Sequence, residues 1–315
     1  MKEIILPVGL PAAGKSTIVN DYVSQGFAKL SRDEIGGGLE VDGKVNTKLK
    51  DWIRMGKEQI IMDATYMTKE VRKHVIDIAK KNGYKVTCVH IATSIEDSQF
   101  NAVSRMINRH GKLFQHADDY TKAKDPNMFP VAALYKANKI IEKPTMSEGF
   151  DEVKIVPFKR KLNGYTNKAI LFDYDGTLRQ TKNADSLYPT DPSDIEILPG
   201  RTEKINELKK EGYIILGVSN QSGVAKGVLT YEMADKCFKK TNELLGVDID
   251  YRFCSHKVPP ITCYCRKPGV GFGVEFIEKY KLDPSQCIMV GDMKSDETFA
   301  KRCGFKFVHV DKFFK

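Results

Sequence analysis

Glycines, a lysine and hydroxyls crowd the stretch Gly9-Leu10-Pro11-Ala12-Ala13-Gly14-Lys15-Ser16-Thr17, and two carboxylates spaced by two residues stand in Asp173-Tyr174-Asp175-Gly176-Thr177-Leu178. In the first stretch, glycines let successive backbone N–H groups converge on an anion. Lys15 can reach phosphate oxygens, and the hydroxyl of Ser16 or Thr17 suits Mg²⁺. In the second, Asp173 is placed to attack phosphorus while Asp175, on the same side of the turn, handles the proton of the leaving oxygen. The first pattern donates a phosphoryl group from a nucleoside triphosphate; the second removes one. An enzyme that added and stripped the same phosphate would only consume nucleotide, so the pair implies two positions on one substrate or two substrates.

Other residues extend each pattern. Ser31-Arg32-Asp33 follows a short apolar segment; Asp33 suits a base that accepts the proton of an attacking hydroxyl, with a helix cap as the alternative, and Arg32 is a candidate contact for substrate phosphate. Asp63 ends the apolar run Ile60-Ile61-Met62, where it can order a magnesium shell or cap the next helix. Arg105 and Arg109, four apart, share one helix face, either as a lid over transferring phosphates or as a solvated basic face. Downstream of the paired carboxylates, Ser219 and Asn220 are candidates to hold a phosphoryl oxygen, and Arg266 and Lys267 offer positive charge. Asp292 and Asp296 supply magnesium ligation and its support. Cys254-x-His256 and Cys263-x-Cys265 offer three thiolates and an imidazole, a tetrahedral set for a structural Zn²⁺. Cys88, Cys237, Cys287 and Cys303 lie in apparent strands or helices and are expected in the core.

The elements that must position these residues alternate. Apolar strands are expected at residues 3–8, 59–62, 85–91 and 153–157, with a helix from about Ser16 to Ser24, and again at 168–172, 213–218, 287–290 and 306–310. Such alternation predicts parallel α/β sheets. The polar, basic stretch Pro157 to Asn167 separates the two patterns and is the expected linker. At 315 residues the chain accommodates two domains of about 150 residues. No apolar run spans a bilayer and no secretory leader is evident, so a cytoplasmic protein is expected. A net charge of +9, spread thinly, favours a polyanionic partner without identifying one.

The glycine-rich loop, Ser31-Arg32-Asp33, Asp63-Ala64-Thr65 with Arg72, the Arg105 and Arg109 pair, and Glu148-Gly149-Phe150 together resemble the kinase domain of polynucleotide kinases. The resemblance implies that Asp33 is the general base activating a 5′-hydroxyl, that Lys15 and Arg105 are catalytic, and that Arg105 and Arg109 form the lid on the nucleotide bound at Gly9 to Thr17. Where the phage enzymes carry an arginine after the catalytic Asp, this chain has Gly36-Gly37-Gly38. The second set resembles the haloacid dehalogenase superfamily. That implies Asp173 as a nucleophile forming an aspartyl-phosphate, Asp175 as general acid and base, and Mg²⁺ held by Asp173, the backbone of Asp175, and Asp292. Ser219-Asn220-Gln221-Ser222-Gly223-Val224 and Cys265-Arg266-Lys267-Pro268 are similar to the branch containing histidinol phosphatase, heptose bisphosphate phosphatase and the 3′-phosphatase of polynucleotide kinase-phosphatases. Loops of that branch carry the same cysteine and histidine pairs around a middle segment longer than the six residues here. The interval from Leu178 to Pro199 is too short for a large cap domain.

The expected fold is therefore α/β in two domains. Residues 1–158 form a P-loop 5′-polynucleotide kinase with a parallel sheet, and residues 166–315 a Rossmann-like haloacid dehalogenase 3′-phosphatase without a large cap. The expected function is healing of nucleic-acid ends: ATP phosphorylates 5′-hydroxyl ends, and 3′-phosphate ends of RNA or DNA are hydrolysed. ATP, Mg²⁺ and Zn²⁺ are the expected cofactors. Nucleic-acid ends are the expected partner, no membrane is, and self-association is left open. The kinase-first order resembles the phage enzymes, for which the cytoplasm would be the host's. Two alternatives remain: a bifunctional kinase and phosphatase of small molecules such as sugar phosphates, and a nucleic-acid-binding module with decayed sites.

Overall fold

A computed structural model describes residues 2–183, 186–257 and 263–315. Its packing forms two compact units, Met1–Asn101 with Ala133–Arg160, and Ala102–Ala132 with Lys161–Lys315.

In chain order the first half contains β1 (Glu3–Val8), α1 (Lys15–Ser24), β2 (Ala28–Ser31), α2 (Arg32–Ile35), α3 (Lys44–Arg54), β3 (Gln59–Asp63), α4 (Lys69–Lys81), β4 (Lys85–Ala92), α5 (Ile95–His110), α6 (Ala117–Ala123), α7 (Val131–Ile140) and β5 (Glu152–Pro157). The five strands make one parallel sheet in the order β2-β3-β1-β4-β5. Alternation along each strand fills both faces. Ile4, Leu6, Val8, Ile60 and Met62 meet Val45, Leu49, Val75 and Ala79 from α3 and α4, while Ile5, Ile61 and Val89 meet Val19 and Phe27. Each such aliphatic side chain contributes roughly 1.5–3 kcal/mol on burial. The strand order brings the carboxyl ends of β2, β3 and β1 side by side, the edge at which open α/β sheets bind ligands.

The second half continues with β6 (Ala169–Phe172), β7 (Arg179–Thr181), β8 (Ile195–Ile197), α8 (Arg201–Lys210), β9 (Ile214–Asn220), α9 (Ser222–Ala225), α10 (Tyr231–Leu245), β10 (Asp250–Cys254), α11 (Gly271–Tyr280), β11 (Ile288–Gly291), α12 (Lys294–Cys303), β12 (Lys306–His309) and α13 (Val310–Phe313). Its parallel sheet runs β10-β9-β6-β11-β12, with β6 central. Between Leu178 and Pro199 the described residues form the antiparallel hairpin β7–β8 and a single 3₁₀ turn, in line with the expected lack of a large cap. Cys88, Cys237, Cys287 and Cys303 are buried as expected. No helix among the described residues is long and apolar enough to cross a membrane.

One segment departs from the sequence expectation. Residues Ala102–Ala132, assigned from sequence to the first domain, pack with the second unit. Ser104 Oγ donates to Glu278 Oε1 at 2.5 Å, and Tyr264 Oη donates to Phe129 O at 3.1 Å. Helical periodicity reveals that a face is apolar, not which unit will cover it.

Candidate functional site

In the first unit, β1 runs into a loop that turns through Ala12 at φ 59° and Gly14 at φ 98° before α1 begins at Lys15. Alternating ordinary and left-handed backbone builds a concavity of N–H groups suited to an anion. Thr93 Oγ1 and Asn101 Nδ2 pin the loop by donating to Ala13 O and Ala12 O, each at 2.9 Å. Lys15 Nζ donates to Gly9 O at 3.0 Å and Leu10 O at 2.7 Å, so its ammonium lies against the loop's own carbonyls. Ser16 and Thr17 follow on the exposed first turn of α1.

Two strands away in the sheet, β2 ends at Ser31, which pairs in register with Asp63 at the end of β3. Asp33 is exposed in the first turn of α2, whose N-cap is Ser31, so it is not the cap that the alternative reading required. Asp63 does not cap α4 either; Thr68 does, accepting from Val71 N–H. Arg32 Nε donates to Gly37 O at 3.1 Å and so closes the glycine turn onto α2. Arg72, fully buried, binds Glu148 through Nε and Nη2 at 2.7 and 2.9 Å, and its Nη1 donates to Tyr66 O, Met67 O and Glu142 O. Its part is architectural: it fixes the turn after Asp63.

Arg105 and Arg109 do share a face. Arg105 Nη1 makes a long 3.4 Å contact to Asn127 O, and Arg109 Nη1 pairs with Asp125 at 3.0 Å. Both guanidinium groups engage the 125–127 turn within the segment that packs with the second unit.

In the second unit, β6 delivers Asp173 at its carboxyl end, where Asp173 N–H extends the ladder to Val290 O. Lys267 Nζ is buried between carboxylates, 2.6 Å from Asp173 Oδ1 and 2.7 Å from Asp296 Oδ1, and donates also to Val218 O at 2.7 Å. Burial alone would lower the Lys267 pKa, but Asp173 and Asp296 outweigh it and hold the ammonium charged above its ordinary range. Burial pushes the Asp173 carboxyl up to about 7, opposed by Lys267 and reinforced by Asp296 and Asp175. A nucleophile in that balance needs further positive charge to stay ionised. Oxygens of Asp173, Asp292 and Asp296 lie within 4.8 Å of one another, and Asp292 Oδ1 is buried with no hydrogen-bond partner among the described residues. That donor set fits a hard divalent cation. Gly176 makes the close approach feasible: at φ 79° it turns away, and a Cβ there would lie 2.7 Å from Asp292 Oδ2.

Ser219 is buried at the end of β9 and accepts from Gln221 Nε2 at 3.2 Å. Asn220 is committed to the lysine loop, accepting from Lys267 N–H at 2.9 Å and donating to Lys267 O at 3.0 Å, so it orients Lys267 rather than reaching outward. Arg266 has one guanidinium nitrogen, Nη1, buried without a partner among the described residues. Two residues escaped the sequence reading. Gln221 Nε2 donates to Asp175 Oδ2 at 2.6 Å, and Arg179 Nε donates to Asp175 Oδ1 at 2.8 Å. The only signal for Arg179 was a cation directly after Asp173-x-Asp175-Gly-Thr-Leu178, at the first position of the short polar strand β7.

The thiol cluster is assembled: Cys254 Sγ lies 3.4 Å from His256 Nδ1 and 3.8 Å from Cys263 Sγ, and Cys265 Sγ 3.2 Å from His256 Nδ1. Tetrahedral zinc with metal–sulfur bonds near 2.3 Å requires edges of about 3.8 Å between sulfurs and about 3.5 Å from sulfur to nitrogen. The spacing fits. The thiols share protons through these contacts: hydrogen bonds with Cys254 and Cys265 pull Cys263 down, while hydrogen bonds with Cys254 and Cys263 push Cys265 up. Most of the middle segment, residues 258–262, lies outside the described residues. A separate groove of about 850 Å³ runs along β10; two of its acids are paired, Asp235 with Tyr251 and Asp250 with Arg252 and Lys279, and none of the candidate catalytic residues lines it.

Comparison with known proteins separates the two halves of the chain, the AAA match running through residue 113 into the segment that packs with the second unit. The family model for the polynucleotide kinase 3 phosphatase matches residues 168–314, and that for an AAA domain matches residues 4–113. The D-glycero-beta-D-manno-heptose-1,7-bisphosphate 7-phosphatase of Haemophilus influenzae is 36% identical over 142 residues, 41% of this chain and 73% of that one. The second half belongs to the haloacid dehalogenase-type phosphatases. The first half is an AAA-type kinase domain. The bifunctional polynucleotide phosphatase/kinase of Schizosaccharomyces pombe is 30% identical over 159 residues, covering 50% of this chain and 34% of that longer one. A crystal structure of D,D-heptose 1,7-bisphosphate phosphatase from B. bronchiseptica shares 27% identity with a TM-score of 0.40, over 45% of this chain and 79% of that one.

Proposed function

We propose that the chain heals nucleic-acid ends, its kinase half phosphorylating 5′-hydroxyl ends with ATP and its phosphatase half hydrolysing 3′-phosphate ends. The observation that carries the reading is the pairing itself. A kinase domain and a phosphatase domain whose family model is that of the polynucleotide kinase 3 phosphatase share one chain, as kinase and phosphatase do in the fission-yeast relative. Two opposed reactions in one chain are productive when they address opposite sides of a break.

In the kinase half, the N–H concavity from Gly9 to Gly14 and Lys15 bind the triphosphate, Ser16 and Asp63 order Mg²⁺, and Asp33 takes the proton of the attacking 5′-hydroxyl. Arg32 contacts the acceptor. In the phosphatase half, Asp173 attacks phosphorus and the bond to the leaving 3′-oxygen breaks as Asp175 gives that oxygen its proton. Asp175 then takes a proton from the water that attacks the aspartyl-phosphate, releasing Asp173 and phosphate. Mg²⁺ held by Asp173, Asp292 and the Asp175 backbone would neutralise phosphoryl charge, supported by Asp296. Lys267, Ser219 and Arg266 hold the remaining phosphoryl oxygens, and Zn²⁺ in the Cys254–Cys265 loop would brace the segment carrying Arg266 and Lys267.

A second reading is favoured by one observation: the matched phosphatases include enzymes named for a heptose bisphosphate. Incubating the protein with a 5′-hydroxyl oligonucleotide and ATP, with a 3′-phosphorylated oligonucleotide, and with heptose bisphosphate decides between them. Turnover of both oligonucleotides supports end healing; turnover of the sugar phosphate alone overturns it.

A further inference from the structure

Asp175 is gripped at both oxygens, and the two grips differ in kind. Gln221 holds Oδ2 at 2.6 Å while also touching Ser219, so it belongs to the phosphate side of the pocket. Arg179 holds Oδ1 at 2.8 Å from the opposite side, and is itself only 1% exposed. Its guanidinium is fixed on three sides. Nη1 donates to Thr241 Oγ1 at 2.8 Å, and that hydroxyl donates onward to Cys237 O at 2.8 Å. The planar face lies 4.5 Å from the ring centre of Phe238 and 5.3 Å from that of Tyr174. The backbone joins in, since Gly176 N–H donates to Arg179 O and Arg179 N–H to Tyr174 O, closing the turn on which Asp175 sits.

A purely architectural part explains this poorly. Burying a guanidinium and a carboxylate together gains little over an apolar pair of similar volume, because the desolvation of both charges offsets their attraction. β7 and α10 could be joined more cheaply by hydrocarbon. What the pair does achieve is to remove the freedom of a carboxylate that would otherwise rotate among several conformers on a loop.

We propose that Arg179 is a positioning residue of the phosphatase: it aims Asp175 so that its proton is delivered to the leaving oxygen. The inference rests on the proposed reading of residues 168–314 as an aspartate-based phosphatase. In the step concerned, Asp173 Oδ forms a bond to phosphorus, the phosphorus–oxygen bond to the alcohol breaks, and the proton on Asp175 passes to that alcohol oxygen. A leaving group that departs readily as an anion does not need the proton, so aim matters only when the leaving alcohol is basic.

That difference provides a readout which fold damage would not move. Wild type, Arg179→Met, Arg179→Lys and Gln221→Leu are assayed on p-nitrophenyl phosphate and on a 3′-phosphorylated oligonucleotide, an alkyl ester. Arg179→Met is expected to lower kcat on the alkyl ester by about 10²–10³ with KM nearly unchanged, and kcat on the nitrophenyl ester by less than about tenfold. Arg179→Lys should recover part of the alkyl activity, and Gln221→Leu should show the same selectivity for leaving group. Equal losses on both esters overturn the proposal. If Arg179→Met does not fold, as judged by thermal unfolding, Arg179→Lys carries the test by the same criterion. Wild type inactive on both esters would instead defeat the phosphatase reading on which the proposal stands.

Discussion

At the scale of single residues, the second unit is organised around Lys267, whose buried ammonium touches both Asp173 and Asp296. The arrangement leaves room for a divalent cation only because position 176 has no side chain. Gly176→Ala places a Cβ 2.7 Å from Asp292 Oδ2 on a backbone at φ 79°. It should cost about 1–3 kcal/mol of stability and displace Asp292. The expected result is a several-fold rise in the Mg²⁺ concentration that half-activates phosphate release, with the Mg²⁺ requirement of the kinase unchanged; equal requirements for mutant and parent would contradict it. Residues with a fixed chemical signature, such as Asp173, Lys267 and Asp292, were legible before any fold was known. Arg179 and Gln221 were not, because their importance lies in what they touch.

At the scale of elements, β2 and β10 were missed as strands for a shared reason. Ala28–Ser31 is four residues with two polar ones, and Asp250–Cys254 is an edge strand rich in polar and charged side chains, so neither carries a clear apolar period. The segment Ala102–Ala132 packs with the second unit through partners distant in sequence, which a local pattern does not reveal. Two carboxylates hold that segment together. Burial pushes both Asp119 and Asp125 up, but Lys112 with the His116 and Gln115 N–H groups, and the Asn127 N–H with Arg109, more than reverse it, leaving each at about 2. Folded values below the unfolded one stabilise above pH 4 and lose that contribution as pH falls toward 2, about 2 kcal/mol per group. Asp119→Asn with Asp125→Asn should therefore flatten the decline of Tm between pH 4 and pH 2; a slope equal to the parent's would contradict this. The Cys254–Cys265 loop makes its own prediction. The purified protein should contain one zinc per chain by elemental analysis, and Cys265→Ser should lose it and lower Tm by several degrees. Metal-free wild type with an unchanged Tm would contradict a structural zinc.

At the scale of the whole molecule, the α/β class and most strands were legible, since buried parallel strands announce themselves as short apolar runs. The two chemistries were legible for a different reason: phosphate loops and paired aspartates occupy adjacent positions in sequence and so survive without knowledge of the fold. What the chain acts on is less local, because substrate is recognised by surfaces assembled from distant segments. The central claim, that two independent sites treat the two sides of a break, is tested most directly by one paired assay. Lys15→Ala and Asp173→Asn are each measured for phosphate transfer to a 5′-hydroxyl oligonucleotide and for phosphate release from a 3′-phosphorylated one. Lys15→Ala is predicted to lose transfer by at least about 10² and keep release, and Asp173→Asn to lose release and keep transfer. Loss of both reactions in either variant, or of neither, would contradict the account.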